Sequence, residues 1–286
     1  MQRISGGRSN RQRLRWWPGS DVVLVAIGVM ASVSFVRNVS AEGYQVSPVT
    51  DGGTISGTAS WPGDIPAIDP IPVSADQDTC GEKVPSKVLR VDPNTKGVRS
   101  VLVYLENVDH GKAVAEKYWL HMGKDDSNKV PDTTVCQFRE HICAFVRSQP
   151  VAMINFDEVL HNPHFFNEKH NSVFNVAMPT PNREVDHTIL REHGVGLPFQ
   201  CDIHAHMNGY AFRFDHPYFT VTDASGHFEI TDVPPGTYTL VVWHESYTID
   251  KVVAGRPRYG DPYVIRKTIE VKPKETVTEQ IVFPVR

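Results

Sequence analysis

Residues 221–245 read VTDASGHFEITDVPPGTYTLVVWHE. Short runs of Val, Ile, Tyr, Phe and Thr are broken here by two hairpin signals, Asp223 to Gly226 and Pro234-Pro235-Gly236. Glycine, proline and aspartate at such spacing reverse an extended chain tightly, so the stretch predicts strands joined by hairpins. The same grammar extends in both directions. Candidate strands are Thr54 to Ser60, Val88 to Val91, Ser100 to Leu105, Val151 to Phe156, Tyr210 to Phe214, Tyr218 to Thr222, Phe228 to Ile230, Thr237 to Trp243, Val264 to Val271 and Thr278 to Phe283. Long helical periodicity is scarce, so the fold class is all-β, of sandwich or barrel architecture. Residues 162–197 read as loop-rich, with one helical turn at His187 to His193.

The chain has 286 residues, enough for two domains or for one domain with a large insertion. Its first nineteen residues carry Arg3, Arg8, Arg11, Arg13 and Arg15 and no acid. An uncharged apolar run from Val22 to Val36 follows, and then Val39-Ser40-Ala41, a small-residue cleavage pattern. Residues 1–41 therefore predict an export signal; an uncleaved anchor attaching the chain to a membrane through residues 22–36 is the alternative. The expected location is periplasmic or otherwise exported. Removing that segment takes away six Arg and one Asp and shifts the formal charge from −4 to −9, which argues against nucleic acid as a partner. An acidic surface suits an exported protein, and it could steer a cationic redox partner.

Four cysteines, Cys80, Cys136, Cys143 and Cys201, sit in what should be an oxidising compartment. Cys201 belongs to the motif described next. Among the other three, Cys80 with Cys136 is the favoured disulfide, because Cys143 lies in the strand-like run His141 to Val146, where a small buried thiol is an ordinary filler. The remaining pairings stay open.

All thirteen histidines fall between His110 and His244, nine of them between His121 and His206. Within that stretch Cys201-Asp202-Ile203-His204-Ala205-His206-Met207 presents a thiolate, an imidazole and a thioether at Cys-x2-His-x2-Met spacing. A loop this short can bring all three to one metal. Thiolate and thioether suit Cu(I) and imidazole suits both copper states, so the set points to copper once a second imidazole is supplied. Residues 150–161, PVAMINFDEVLH, supply it: an apolar strand, Asn155, a loop with Asp157, then His161 followed by Asn162.

These two elements together resemble a cupredoxin of the amicyanin/plastocyanin-like kind, a Greek-key β-sandwich holding one type 1 copper. The resemblance implies His161, Cys201 and His204 as equatorial ligands, Met207 as the axial ligand, and Asn162 as the neighbour that hydrogen-bonds the ligand loop. Separately, Gly52 to Gly63 together with residues 221–245 resembles the carboxypeptidase-regulatory-like, or transthyretin-like, β-sandwich. The implied organisation is a first part of that sandwich at 50–112, a copper domain inserted at 113–216, and the rest of the sandwich at 217–286. Cys80-Gly81, the HPYF run at His216 and the WHE run at Trp243 extend the likeness to methylamine-utilisation-like exported proteins. In those relatives the residue before the Met is commonly Trp; here it is His206.

Alternatives stand beside the ligand set. His206 on an extended loop would point to solvent or support a ligand, or replace Met207. His164 with His206 could build a second or altered site of harder character, for which zinc is the alternative metal. His141 is expected to be structural, and His244 with Glu245 to lie where the two sandwiches meet. No Gly-rich phosphate loop, G-x-S-x-G or H-E-x-x-H pattern is present, so no catalytic residues are assigned and the protein is read as a non-enzyme. The paired acids Asp125 and Asp126 read as a solvated turn.

The expected function is one-electron transfer, with electrons leaving through His204 on a loop facing the surface toward a redox partner protein. Copper storage, delivery or sensing is the second reading. A carbohydrate- or protein-binding sandwich with a structural metal is the third.

Overall fold

In the computed structural model, residues 43–124, 135–147, 149–188, 194–253 and 256–283 are described. The export segment expected at 1–41 with its apolar run 22–36, the acids Asp125 and Asp126, and residues 189–193 of the expected helical turn lie outside them. Among the described residues no helix is long and apolar enough to cross a membrane. The secondary structure there is almost wholly strand, and the single α-helix is the four-residue turn Gln77–Cys80.

Two sets of strands pair among themselves. In the first, Gly53–Ser60 lies between His227–Val233 and Thr276–Val282, facing a sheet ordered Phe219–Val221, Leu102–Glu106, Gly236–His244, Tyr263–Val271. In the second, Ile142–Val146, Asn208–Phe214, Gly194–Cys201, Pro163–Phe166 and Ser172–Asn175 form one sheet, and Glu184–Thr188, Pro150–Asn155 and Tyr118–Met122 form the other. Every strand of the second set lies between residues 118 and 214, inside a chain gap of the first. The outer sandwich is therefore threaded from both ends of the chain, and the inner one is continuous.

Side-chain alternation explains how the two are joined. Val103, Leu105, Leu240 and Val242 face the core of the outer sandwich, packed with Ile55, Phe228 and Ile230. Their neighbours Leu102, Tyr104, Val241 and Trp243 face the other way and pack on Ile142, Ala144, Phe212 and Phe214 of the inner sandwich. Cys143, Phe145 and Ala211 in turn face the inner core with Leu120, Met153, Phe165 and Phe199. Two strand periods of two residues thus stack four sheets, and the middle strands lose the polar face that a solvated sheet would show. Trp243 closes the seam, its ring 4.8 Å from Phe212 and 5.3 Å from Tyr210.

The seam also holds polar groups. His141 Nε2 donates to the Glu245 carboxylate, both residues being buried, while its Nδ1 faces the Asn208 carbonyl at 3.0 Å. Burial pushes the Glu245 carboxyl up against the opposing pull of His141. His244 bonds the Glu245 carbonyl at 2.7 Å, and burial drives its imidazole down to about 4. The expected meeting of the sandwiches at His244 and Glu245 is present, with His141 as the imidazole that reaches the carboxylate.

Two expectations are corrected. Residues 162–197 are not loop-rich: they contain Pro163–Phe166, Ser172–Asn175, Glu184–Thr188 and the start of Gly194–Cys201. These strands are short and interrupted by polar residues, and two of them form an edge hairpin, so no apolar run marked them. His187 lies in a strand rather than a helical turn, because Val151 pairs with it across an antiparallel ladder. Val73, Cys80 and Val84, which precede every strand of the inner sandwich in the chain, also pack in the inner core. Cys80 is disulfide-bonded to Cys136, and Cys143 is a buried free thiol, as the sequence favoured.

Candidate metal centre

The inner sandwich brings its donors together by register. Pro163 sits opposite Cys201 on antiparallel strands, which places Asn162 and His161 at the same sheet end as the cysteine. Beyond Cys201 the chain reverses at once: the Met207 amide donates to the His204 carbonyl at 2.9 Å, and the Cys201 amide to the Met207 carbonyl at 3.0 Å. This closed turn leaves His204 facing inward. His161 is held from the other side, its carbonyl accepting the Met178 amide at 2.8 Å.

The Nδ1 atoms of His161 and His204 lie 3.1 Å apart, and His204 Nδ1 is 3.7 Å from Cys201 Sγ. All three donors fall within 4.8 Å of one another, and all three residues are 0% exposed. Donors bound about 2.0 Å (nitrogen) and 2.3 Å (sulfur) from one ion at the corners of a triangle would stand about 3.5–3.8 Å apart. The observed nitrogen–nitrogen and nitrogen–sulfur separations, 3.1 and 3.7 Å, are close to those values.

Proton placement supports the same conclusion. His161 Nε2 faces the Asp157 carboxylate at 2.9 Å, and His204 Nε2 faces the Asp76 carboxylate at 3.1 Å. An ionised carboxylate only accepts, so each Nε2 carries the proton and each Nδ1 of a neutral ring turns its lone pair inward. Two lone pairs and a sulfur then face one another in a water-excluded space, where a cation fits better than empty contact. Burial pushes the Cys201 thiol up, but His161, His204 and the Asn162 and His204 amides outweigh it and bring the thiol down to about 6. Burial likewise pulls His161 down, and Asp157 with Cys201 outweighs it and raises the imidazole. The residues present fit a thiophilic metal that replaces protons on binding.

Supporting groups surround the triangle. Asn162 Oδ1 accepts from the Asp202 amide at 3.0 Å and from Cys201 Sγ at 3.2 Å, the position the sequence expected for it. Asp157 was visible only as part of a spacing; here its carboxylate accepts the Cys136 amide at 2.7 Å while holding His161. Gly123 makes room for it, since a Cβ there would lie 2.3 Å from that carboxylate and the backbone φ is +81°. The disulfide was favoured from the sequence, but nothing there placed it or Asp76 against His204, because Asp76 and Cys80 reach that ring across more than a hundred residues: Cys80 Sγ is 3.7 Å from His204 Nε2 and the Asp76 carboxylate 3.1 Å.

The remaining sequence candidates are placed differently. Met207 is buried in the same cluster and closes the turn through its backbone. His206 is not at the surface: it is 5% exposed, stands 5.6 Å from the His204 ring, and bonds the Cys136 carbonyl at 2.8 Å. His164 bonds Asp202 at 2.9 Å and Ser172 at 2.9 Å. Among the described residues, neither His164 nor His206 belongs to a group of three donors close enough to share an ion. His204 does not face solvent. Asp76 and Cys80 cover its outer ring nitrogen, and the disulfide ties them down.

A family model for polysaccharide lyase family 4, domain II, matches residues 213–279, which lie mostly in the outer sandwich. No curated protein matches the chain. Among solved structures, a novel purple cupredoxin from Nitrosopumilus maritimus is 15% identical at a TM-score of 0.26, covering 34% of this chain and 99% of that one. A reduced amicyanin variant is 16% identical at 0.26, over 34% and 81%, and a pseudoazurin from Sinorhizobium is 20% identical at 0.24, over 35% and 74%. All three likenesses are partial. The case for a metal rests on the chain's own side chains.

Proposed function

We propose that this chain is an exported type 1 copper protein that carries one electron at a time. The observation that supports it most directly is the buried triangle of His161 Nδ1, His204 Nδ1 and Cys201 Sγ, with both outer ring nitrogens held by carboxylates. Copper in a thiolate and imidazole set supplies a centre that passes between two oxidation states. His161, His204 and Cys201 would hold it, with Met207 as a further sulfur donor. The chain's own contribution is rigidity: Asp157, Asp76 and Asn162 fix ring and loop orientation, so little has to move when the charge changes. The apolar cluster beneath keeps water out. The partner is a redox protein, and the acidic mature chain suits a cationic one. Loading the purified protein with Cu(II) should give an intense visible colour and a paramagnetic signal of small copper hyperfine splitting. A colourless protein that takes up no copper would refute the reading.

One observation favours a second reading, copper storage or delivery. His204 is fully buried beneath the Asp76–Cys80 turn, so the imidazole edge expected to pass electrons outward is covered. Tight copper retention with negligible exchange of electrons with external donors would select this reading over the first.

A further inference from the structure

One disulfide reaches several of the groups around the candidate ligands. The Cys136 amide donates to Asp157, which holds His161; the Cys136 carbonyl bonds His206 in the ligand loop; and Cys80 Sγ lies 3.7 Å from Nε2 of His204. His204 therefore has two different sides. Its Nδ1 faces Cys201 and His161, and its Nε2 faces Cys80 and Asp76. On that second side the donor atoms of Cys80, Cys136 and His204 all lie within 4.8 Å of one another, the two sulfurs being joined by the disulfide bond. The disulfide keeps it closed, because a sulfur bonded to sulfur has no thiolate charge to offer a metal.

We infer that Cys80, Cys136 and His204 form a second, redox-gated metal site that takes up Cu(I) when the disulfide is opened and passes it to the first site. The step balances with a dithiol as reductant: its two thiols give two electrons and two protons to the Cys80–Cys136 bond, which opens to two thiols while the donor leaves as a disulfide. Uptake of Cu(I) then releases the two thiol protons to solvent. Two thiolates and an imidazole are soft donors suited to Cu(I) rather than to harder ions. Asp76, whose side chain is 44% exposed and bonded to His204, marks the way in from solvent. A neutral imidazole has one lone pair, so His204 binds on one side at a time, and moving its proton from Nε2 to Nδ1 turns it from one site to the other. Only the destination of the metal depends on the type 1 reading.

The test uses the full chain carrying Cys201→Ser, which removes the thiolate of the first site and leaves the second intact. Cu(I) is offered against a coloured Cu(I) chelator before and after reduction by a phosphine, which takes up oxygen from water as the two thiols form. Reduction should let the chain withdraw one further equivalent of Cu(I), and adding Cys80→Ser should abolish that gain while thermal melting stays cooperative. Equal uptake before and after reduction overturns the inference, as does a gain that survives Cys80→Ser with Cys136→Ser, or loss of cooperative melting on reduction. Absence of colour in the Cu(II)-loaded wild type would instead sink the type 1 reading and leave this result untouched.

Discussion

The two sandwiches share an architecture and differ in what they bury. The core cluster of the outer one is hydrocarbon and aromatic, with Ile55, Val103, Leu105, Phe228, Leu240 and Val242 nearly or wholly inaccessible. The inner one buries comparable apolar residues beneath a layer of Asn155, Asp157, His161, Asn162, His204 and His206. Buried polar groups oppose folding unless they are bonded, and here the partners are other members of the layer, backbone amides and carbonyls, and Asp76. A core of the first kind is explained by stability alone. A core of the second kind gives up stability for a fixed geometry, and that difference is what marks a site.

Substitutions in the two cores should therefore separate cleanly. Cys201→Ser is expected to have the largest effect, bleaching the visible band of the Cu(II)-loaded protein completely while the far-ultraviolet circular dichroism is unchanged. Leu240→Ala in the outer core should do the reverse. It should cost about 2–5 kcal/mol in denaturant unfolding, as large-to-small core changes do, and leave the band position of the loaded protein where it was. Asp157→Asn breaks the support of His161 without touching a donor, and copper affinity by chelator competition should fall about 10–100-fold. If it does not, the carboxylate serves folding only and the two cores are more alike than the geometry indicates.

The seam offers a pH test. His244 has its folded pKa brought down to about 4 by burial, against an ordinary value of 6.5. Its unfolded form binds the extra proton first, so its contribution is complete above about pH 6.5 and is lost as the pH falls toward 4. Thermal melts across that window should show the loss, and His244→Phe should flatten it. The smallest effect is expected at His164, whose partly exposed contact with Asp202 is worth under about 1 kcal/mol; His164→Ala should leave copper affinity unchanged.

Much of this was legible beforehand, for identifiable reasons. Turn chemistry at Asp223 to Gly226 and Pro234 to Gly236 is local, so strands on either side could be read from neighbouring letters. Cys201, His204 and Met207 were readable because one short loop carries them, and His161 because it follows a recognisable apolar strand. Asp157 stood four residues before His161 and was seen without a role, since nothing local says which way a carboxylate turns. The strands within 163–188 were missed because edge pairing, rather than an apolar pattern, holds them extended.

What residue order determined unaided was local: strand and turn propensities, the donor chemistry of one loop, and the compositional contrast between a histidine-rich middle and its flanks. What required the folded chain was everything set by distance in space. The register that puts Pro163 beside Cys201, the burial of His204, and the arrival of Asp76 and Cys80 over it depend on contacts between residues 38 to 128 positions apart, and no neighbouring residue encodes which distant surface will come to rest against it.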